Sequence, residues 1–175
     1  FLRLIFTFVI APFYFNRHNI NLDNDTTAWM TGLYNLMYHG EFTMMLHNEL
    51  AAYIRMPGYS LFMAPSFGIV ALFYKMQGVE ITSFSEMWYT VLKLTAFIQI
   101  ILDTINIYLI FSITKKIFKE QQMAIIAAII YATYPFVIVW NPVCYAEIPS
   151  LFFAFLALAI TLNFNHKLAF ALAGV

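Results

Sequence analysis

A run of apolar residues from 88 to 113 is the feature that most constrains the fold. It exceeds the roughly 20 mostly apolar residues that a bilayer-crossing helix needs, and further runs cover 122–140 and 148–164. Of all residues, 62% are hydrophobic and 10% are charged, whereas a soluble domain carries about 25% charged residues. Polar groups therefore cannot cover the surface of this chain. We predict an all-α, polytopic integral membrane protein in contact with membrane lipid.

The two ends of the sequence are also apolar. Residues 1–15 form a run without the small-residue cleavage site of a signal peptide. Residues 168–175 open another apolar run. We interpret the chain as the N-terminal part of a single transmembrane domain, with a truncated first span and the start of a further one.

The few charged residues indicate an orientation. Three lysines lie between 115 and 119, just after the first long run, and Lys167 follows 148–164. The positive-inside rule places both of these connections in the cytoplasm. Residues 141–147 are therefore expected on the outer side. The formal net charge is zero, which argues against nucleic acid as a partner.

The stretch RMPGYSLFMAP, which begins at Arg55, interrupts this simple pattern. Residues 57–74 are apolar, but they contain Pro65 and Gly68 in their middle. If this segment spans the membrane, the polar loop before it is cytoplasmic. The prolines, the glycines and the arginine favour the other interpretation, a helix lying in the membrane interface. Residues 16–87 then form one extracytoplasmic loop.

A second helix is predicted in that loop, at about 26–39. Its apolar residues recur at helical spacing and form one stripe, which suits a helix lying flat on a bilayer: Trp29, Leu33, Leu36 and Met37. Asp25 stands at its N-terminal end, where a carboxylate caps free backbone N–H groups. A capping carboxylate can still face a substrate, so both roles stay open for Asp25. Asp23 and Asp25 also form a short D-x-D pattern that could hold a divalent metal ion through oxygen ligands.

Other polar residues have both structural and chemical interpretations. Arg55 either anchors the chain at the headgroups or binds a phosphate in a bidentate fork. Glu147 directly precedes the run 148–164, where a helix dipole favours an acid. Asp103 lies inside a run, and we expect it to form interhelical hydrogen bonds near the cytoplasmic end. The pairs His39-x-Glu41 and His47-x-Glu49 contain no complete ligand set of recognised spacing, so no metal site is assigned.

Two stretches together suggest a family. DTTAWMTGLYNLMYHG from Asp25, followed by RMPGYSLFMA from Arg55, resembles the first outer loop of polyprenyl-phosphate-dependent glycosyltransferases. These are the dolichyl-phosphate-mannose protein mannosyltransferase-like enzymes, glycosyltransferase family 39, including bacterial aminoarabinose transferases. The later stretches QIILDTINIYLIFSITKKIF and AAIIYATYPFVIVWNPVCYAEIPSLFFAFLAL resemble the spans that follow. Met56 replaces the first proline of the family's basic-Pro-Pro stretch, and Ile54 stands where aminoarabinose transferases have a metal-binding Glu.

The resemblance implies a GT-C membrane fold with helices parallel to the membrane in the first outer loop. It implies transfer of a sugar from a polyprenyl-phosphate carrier to a hydroxyl-bearing lipid, polysaccharide or protein acceptor, in a bacterial inner membrane. Asp25 matches the catalytic carboxylate of loop one, and Glu147 matches the acid of the second outer loop. Arg55 is expected near the carrier phosphate. Arg17 is a further candidate for that phosphate, and Asp23 is an additional candidate acid.

A transporter or scaffold subunit is the alternative function, with Asp103 and Asp25 on a permeation path. Such proteins place essential charges near the middle of the membrane, beside broken spans. An enzyme instead needs Asp25 near Arg55 on the outer side.

Overall fold

The computed structural model describes residues 1–14, 24–43, 57–79 and 84–163. Every regular element in these ranges is a helix. Two of the helices are long and apolar enough to cross a membrane, or three if one bent pair is a single span. The all-helical class is therefore confirmed, together with helices of membrane-spanning length.

The described ranges contain the helices named below, given in chain order. In order they are α1 (Leu2–Ile5), α2 (Ala11–Tyr14), α3 (Asn24–His39), α4 (Pro57–Met76), α5 (Phe84–Phe118), α6 (Gln121–Thr133), α7 (Pro135–Trp140) and α8 (Glu147–Asn163). A π-helical segment, Phe6–Ile10, joins α1 to α2, and a 3₁₀ turn, Asn141–Val143, follows α7.

The longest helix, α5, organises the packing. Its 35 residues measure roughly 50 Å at 1.5 Å per residue, which exceeds the roughly 30 Å of a hydrocarbon core. Helices α4, α6 and α8 all pack against it. The predicted span 88–113 lies wholly within α5. The helix closes at Lys119, whose φ of 58° is the left-handed conformation that ends many helices.

The predicted span 122–140 corresponds to two helices, α6 and α7, bent by 46°. Pro135 lacks a backbone N–H and restricts the residue before it. Tyr134 accordingly has an extended backbone, with φ −64° and ψ 113°. Arg3 donates from Nη1 to the carbonyl of Ala132 over 3.0 Å. A carbonyl next to the break is thus hydrogen-bonded by a side chain from the first helix.

One face of α5 carries a fully buried set of polar side chains: Gln99, Asp103 and Asn106. Asp103 forms a buried ion pair with Arg3. It also accepts hydrogen bonds from Tyr131 Oη over 2.6 Å and from Asn141 Nδ2 over 2.9 Å. The predicted interhelical hydrogen bonding of Asp103 is confirmed.

Asp103 also reaches the connection 141–147, which was not predicted, while its position nearer the cytoplasmic end stays a prediction. Asn141, at the start of that connection, donates directly to Asp103. Gln99, one turn earlier on α5, bonds the carbonyl of Tyr145.

The two helices predicted at about 26–39 and 57–74 correspond to α3 and α4. Helix α4 is continuous over 20 residues although it contains Pro65, and its length and composition meet the criterion for a span. Whether α3 and α4 lie in the interface stays a prediction. The predicted truncated span 1–15 contains a shorter apolar helix, Leu2–Phe13. The predicted span 148–164 corresponds to another, α8. The segment 168–175 lies outside the described residues.

The core has two parts. The larger cluster joins α3, α4, the first half of α5 and Cys144, and its fully buried members include Met30, Leu33, Met63, Phe67 and Val91. A smaller cluster joins Leu109 and Ile113 of α5 to Ala159 of α8. The large apolar side chains of α6 that face outward suit a lipid environment: Ile125, Ile126, Ile129 and Ile130.

Replacing Asp103 with Asn is expected to destabilise the protein, because Arg3 keeps its charge in a buried site without an ionised partner. Breaking such a pair costs about 3–5 kcal/mol of unfolding free energy. The double variant Arg3→Met, Asp103→Asn removes both charges and is expected to recover at least half of that loss. Reversible unfolding in detergent measures both values. Equal stability of the single and the double variant would contradict the ion-pair explanation.

Candidate functional site

The first half of α3 is held against the connection that joins α7 to α8. Thr26 Oγ1 donates to the carbonyl of Val143 over 3.4 Å. The ring of Trp29, one turn further along α3, meets the ring of Tyr145 edge to face, with 6.1 Å between centroids. The start of α3 and the start of α8 are therefore brought to the same end of the helix bundle.

The first turn of α4 joins the same place. Ser60 Oγ donates to the backbone carbonyl of Trp29 over 3.0 Å, and Ser60 is fully buried. The ring of Tyr59 lies edge to face with Trp29, at 4.7 Å between centroids. Edge-to-face aromatic pairs contribute about 0.5–1.5 kcal/mol beyond their buried area. We call this meeting of α3, α4 and the connection 141–147 the junction.

Helix α5 also contacts the junction, through the side chain of Gln99. Tyr59 Oη donates to Gln99 Oε1 over 3.0 Å. Gln99 Nε2 donates to the carbonyl of Tyr145 over 3.0 Å. One side chain of α5 is thereby hydrogen-bonded to both α4 and the connection.

Glu147 begins α8 and is exposed. The two residues after it, Ile148 and Pro149, are buried, so they anchor the start of the helix while the carboxylate stays accessible. A carboxylate in a first turn is stabilised by the helix dipole by about 0.3–1 kcal/mol. Glu147 is thus held on a packed helix start, two residues from Tyr145 of the junction.

Asp25 is the second residue of α3, because the helix begins at Asn24. It therefore lies within the first turn rather than before it, which differs by one or two positions from the predicted cap. Its side chain lies outside the described part of the structure. Thr26, the next residue, is fully buried and bonded to Val143, so the backbone at Asp25 adjoins the junction.

Three other predicted site residues lie outside the described residues: Arg17, Asp23 and Arg55. Arg55 precedes Pro57, the first residue of α4, by two positions in the sequence. The roles predicted for these three side chains stay predictions. The junction thus joins the start of α3, which contains Asp25, to the start of α8 at Glu147. It also includes the first turn of α4, the helix that follows Arg55.

Metal ligands do not cluster in the described part of the chain. No group of three or more His, Cys, Asp or Glu side chains there could hold an ion. His39 and Glu41 are both exposed at the end of α3, while His47 and Glu49 lie outside the described ranges. No residue is assigned to a metal on this basis.

Cys144 belongs to the connection 141–147 and is fully buried in the larger core cluster. Its thiol is within hydrogen-bonding distance of the Leu92 carbonyl, at 3.4 Å. Burial raises the pKa of the Cys144 thiol above its ordinary value, because a low-polarity surrounding disfavours the thiolate. The thiolate is the nucleophilic form, so Cys144 is suited to packing rather than to reaction.

Two residues of the helix bundle, Arg3 and Gln99, have roles that were not predicted from the sequence. Arg3 lies in an apolar run, and a lone arginine in such a run is the available signal of a buried partner. Gln99 is recognisable from the sequence only as a neighbour of Asp103 on the same helix face. Its two bonding partners, Tyr59 and Tyr145, are distant in sequence, and no local pattern marks them.

Comparisons of the chain with protein-family models, with curated proteins and with solved structures gave no match. The resemblance seen in the sequence stays an expectation.

The accessibility of the junction can be tested with cysteine chemistry. Glu147→Cys in a Cys144→Ala chain is expected to react with a membrane-impermeant thiol reagent added from outside. The native Cys144 should react at least about tenfold more slowly, because each unit of raised pKa lowers the thiolate fraction tenfold. Rates of labelling in sealed cells measure both.

A Lys116→Cys chain, also lacking Cys144, serves as the matched control. Lys116 is exposed near the end of α5, on the side predicted to be cytoplasmic. It should be protected until the membrane is permeabilised. The opposite result, with Lys116→Cys labelled and Glu147→Cys protected in sealed cells, would reverse the predicted orientation.

Proposed function

We propose that this chain belongs to a polytopic membrane glycosyltransferase of GT-C type. The enzyme transfers a sugar from a polyprenyl-phosphate carrier to a hydroxyl-bearing acceptor on the extracytoplasmic side of a bacterial inner membrane. The observation that carries the proposal is the junction, where α3 begins beside Asp25 and α8 begins at Glu147. Two acids from distant parts of the sequence are thus attached to neighbouring, packed helix starts.

This arrangement suits glycosyl transfer. The acceptor oxygen attacks the anomeric carbon, the bond from that carbon to the phosphate oxygen breaks, and the carrier phosphate departs with the bonding electrons. The acceptor proton passes to a carboxylate, and we assign this base to Asp25. One displacement at the anomeric carbon inverts its configuration. Glu147 is assigned to the same site as a second acid that orients the acceptor or the sugar.

The phosphate side of the reaction is assigned to the arginines. A guanidinium binds a phosphate through two parallel hydrogen bonds and stabilises the charge that develops on it as it leaves. Arg55 has this role in our proposal, with Arg17 as its companion. These steps require neither a metal ion nor another cofactor. If a divalent ion binds, Asp23 is the carboxylate nearest in sequence to Asp25 that could add an oxygen ligand.

The protein also offers an apolar surface to the lipid tail of the donor. Helix α4, which follows Arg55, exposes apolar side chains along its length: Leu61, Ile69, Leu72, Phe73 and Met76. A polyprenyl chain is a hydrocarbon, and in the membrane it can exchange contacts with lipid tails for van der Waals contacts with such side chains at little cost. The carrier would thus lie along α4 with its phosphate towards the start of that helix.

A transporter or scaffold subunit is the second candidate, and one observation favours it. The buried Arg3–Asp103 pair lies beside the bent span formed by α6 and α7, and transporters bind ions at broken helices. In this chain the pair is also hydrogen-bonded by Tyr131 and Asn141. We therefore assign it to structure and give the enzyme preference.

Transfer of labelled sugar from polyprenyl-phosphate donors tests the proposal directly. The full-length protein in membranes should release the carrier and glycosylate an acceptor. Asp25→Asn should lower the rate by about 10²–10⁴-fold, the usual contribution of general base catalysis, since the amide keeps the shape but cannot take the proton. Glu120→Gln is the matched control, because Glu120 is an exposed acid between α5 and α6, and it should leave the rate unchanged.

Two results would count against these assignments. Equal transfer by the wild type and well-folded Asp25→Asn would remove Asp25 from the reaction. Absence of transfer from every polyprenyl-phosphate sugar, with the protein intact, would favour the transporter or scaffold.

A further inference from the structure

Gln99 is buried in the middle of the bundle and uses both ends of its amide. Its exposed fraction is 0%, so each of its polar atoms depends on a protein partner. Nε2 donates to the carbonyl of Tyr145, and Oε1 accepts from the hydroxyl of Tyr59, each over 3.0 Å. The orientation of the amide follows from chemistry, because a carbonyl can only accept. The –NH₂ must face Tyr145, and the hydroxyl of Tyr59 must donate.

The two hydrogen bonds of Gln99 join α4 and the connection 141–147 to α5. Helix α5 packs against α4, α6 and α8, whereas the connection before α8 is a short segment that includes non-helical residues. Gln99 sets the position of that connection relative to the first turn of α4. Tyr59 and Tyr145 in turn both pack against Trp29 of α3, so the amide of Gln99 is linked directly or through one ring to all three sides of the junction.

We propose that Gln99 is a positioning residue for the outer site: it holds the start of α8, with Glu147, at a fixed distance from the start of α4. The inference rests on the proposed function, because it assigns Gln99 a part in that reaction. Gln99 acts on the site through Tyr59 and Tyr145. Its replacement by an apolar residue would leave the hydroxyl and the carbonyl without their partner and free the connection to shift.

Kinetics of transfer provide the first test, with rates expressed per folded molecule. Gln99→Leu is expected to lower kcat by about 10- to 100-fold, since a misplacement of about 1 Å can cost 10²-fold. KM for the donor should change by less than about twofold, because the carrier is held by other groups. Thr95→Val is the matched control: Thr95 is fully buried one turn earlier on α5, and it should leave kcat unchanged.

A comparison of the single and double variants of Gln99 and Glu147 distinguishes the positioning of Glu147 from a simple loss of packing. If Gln99 acts by placing Glu147, then Glu147→Gln costs less in a Gln99→Leu background than in the wild type, because residues that act together give non-additive losses. Loss of packing alone would lower both rates by the same factor, and the two losses would multiply. Additive behaviour would therefore overturn the inference.

A distance measurement provides a readout that needs no activity. Spin labels are placed at Gly58→Cys and Ser150→Cys in a Cys144→Ala chain; both positions are exposed, and a Cβ at Gly58 meets no atom within 4 Å. We expect one narrow distance distribution by EPR spectroscopy, broadened or shifted by Gln99→Leu and unchanged by Thr95→Val.

The outcomes distinguish the two proposals. Transfer by the wild type, with unchanged kcat and unchanged distances in Gln99→Leu, overturns the role of Gln99 and leaves the enzyme intact. Absence of transfer by the wild type overturns the enzyme, and the role of Gln99 in catalysis with it, whatever the distances show. Loss of kcat together with a changed distance supports both.

Discussion

The buried ion pair between Arg3 and Asp103 is the interaction on which the helix arrangement depends. A charge in this position is tolerated only when it is paired and hydrogen-bonded, and Asp103 meets that condition with partners from three separate segments: α1, α6 and the 3₁₀ turn. Arg3 also bonds the Ala132 carbonyl beside the break at Pro135. The same interaction therefore fixes the first helix, the bent pair of α6 and α7, and α5 relative to each other.

The proposed outer site lies one helical turn from that pair. Asp103 and Gln99 share a face of α5 at a spacing of four residues, so about 6 Å of helix separates them. Asp103 binds the beginning of the connection 141–147 at Asn141, and Gln99 binds its later part at Tyr145. A polar stripe on one face of α5 is thus hydrogen-bonded to both ends of this connection, and these bonds offset the cost of burying its polar side chains.

Much of this architecture could be predicted from the sequence. The apolar runs located α5, α6–α7 and α8 within a few residues, since lipid demands long helices of apolar side chains. The stripe at Trp29 and Leu33 located α3. The bend of 46° at Pro135 was not predicted, although the proline was visible, because a proline can also be tolerated within a helix, as Pro65 is in α4. The contact of Asp103 with Asn141 was not predicted either, because residues 38 positions apart share no local pattern.

The sequence by itself determined the class of this protein, its helices and the polar residues worth testing, because hydrophobicity and helix periodicity act over a few turns of chain. Only the tertiary structure decided which of those residues meet. The pairing of Arg3 with Asp103 joins residues 100 positions apart, and the contact of Thr26 with Val143 joins residues 117 apart. Such contacts depend on how helices cross and bend, which local preference does not encode. They are settled by the need to pair buried polar groups once the helices pack together.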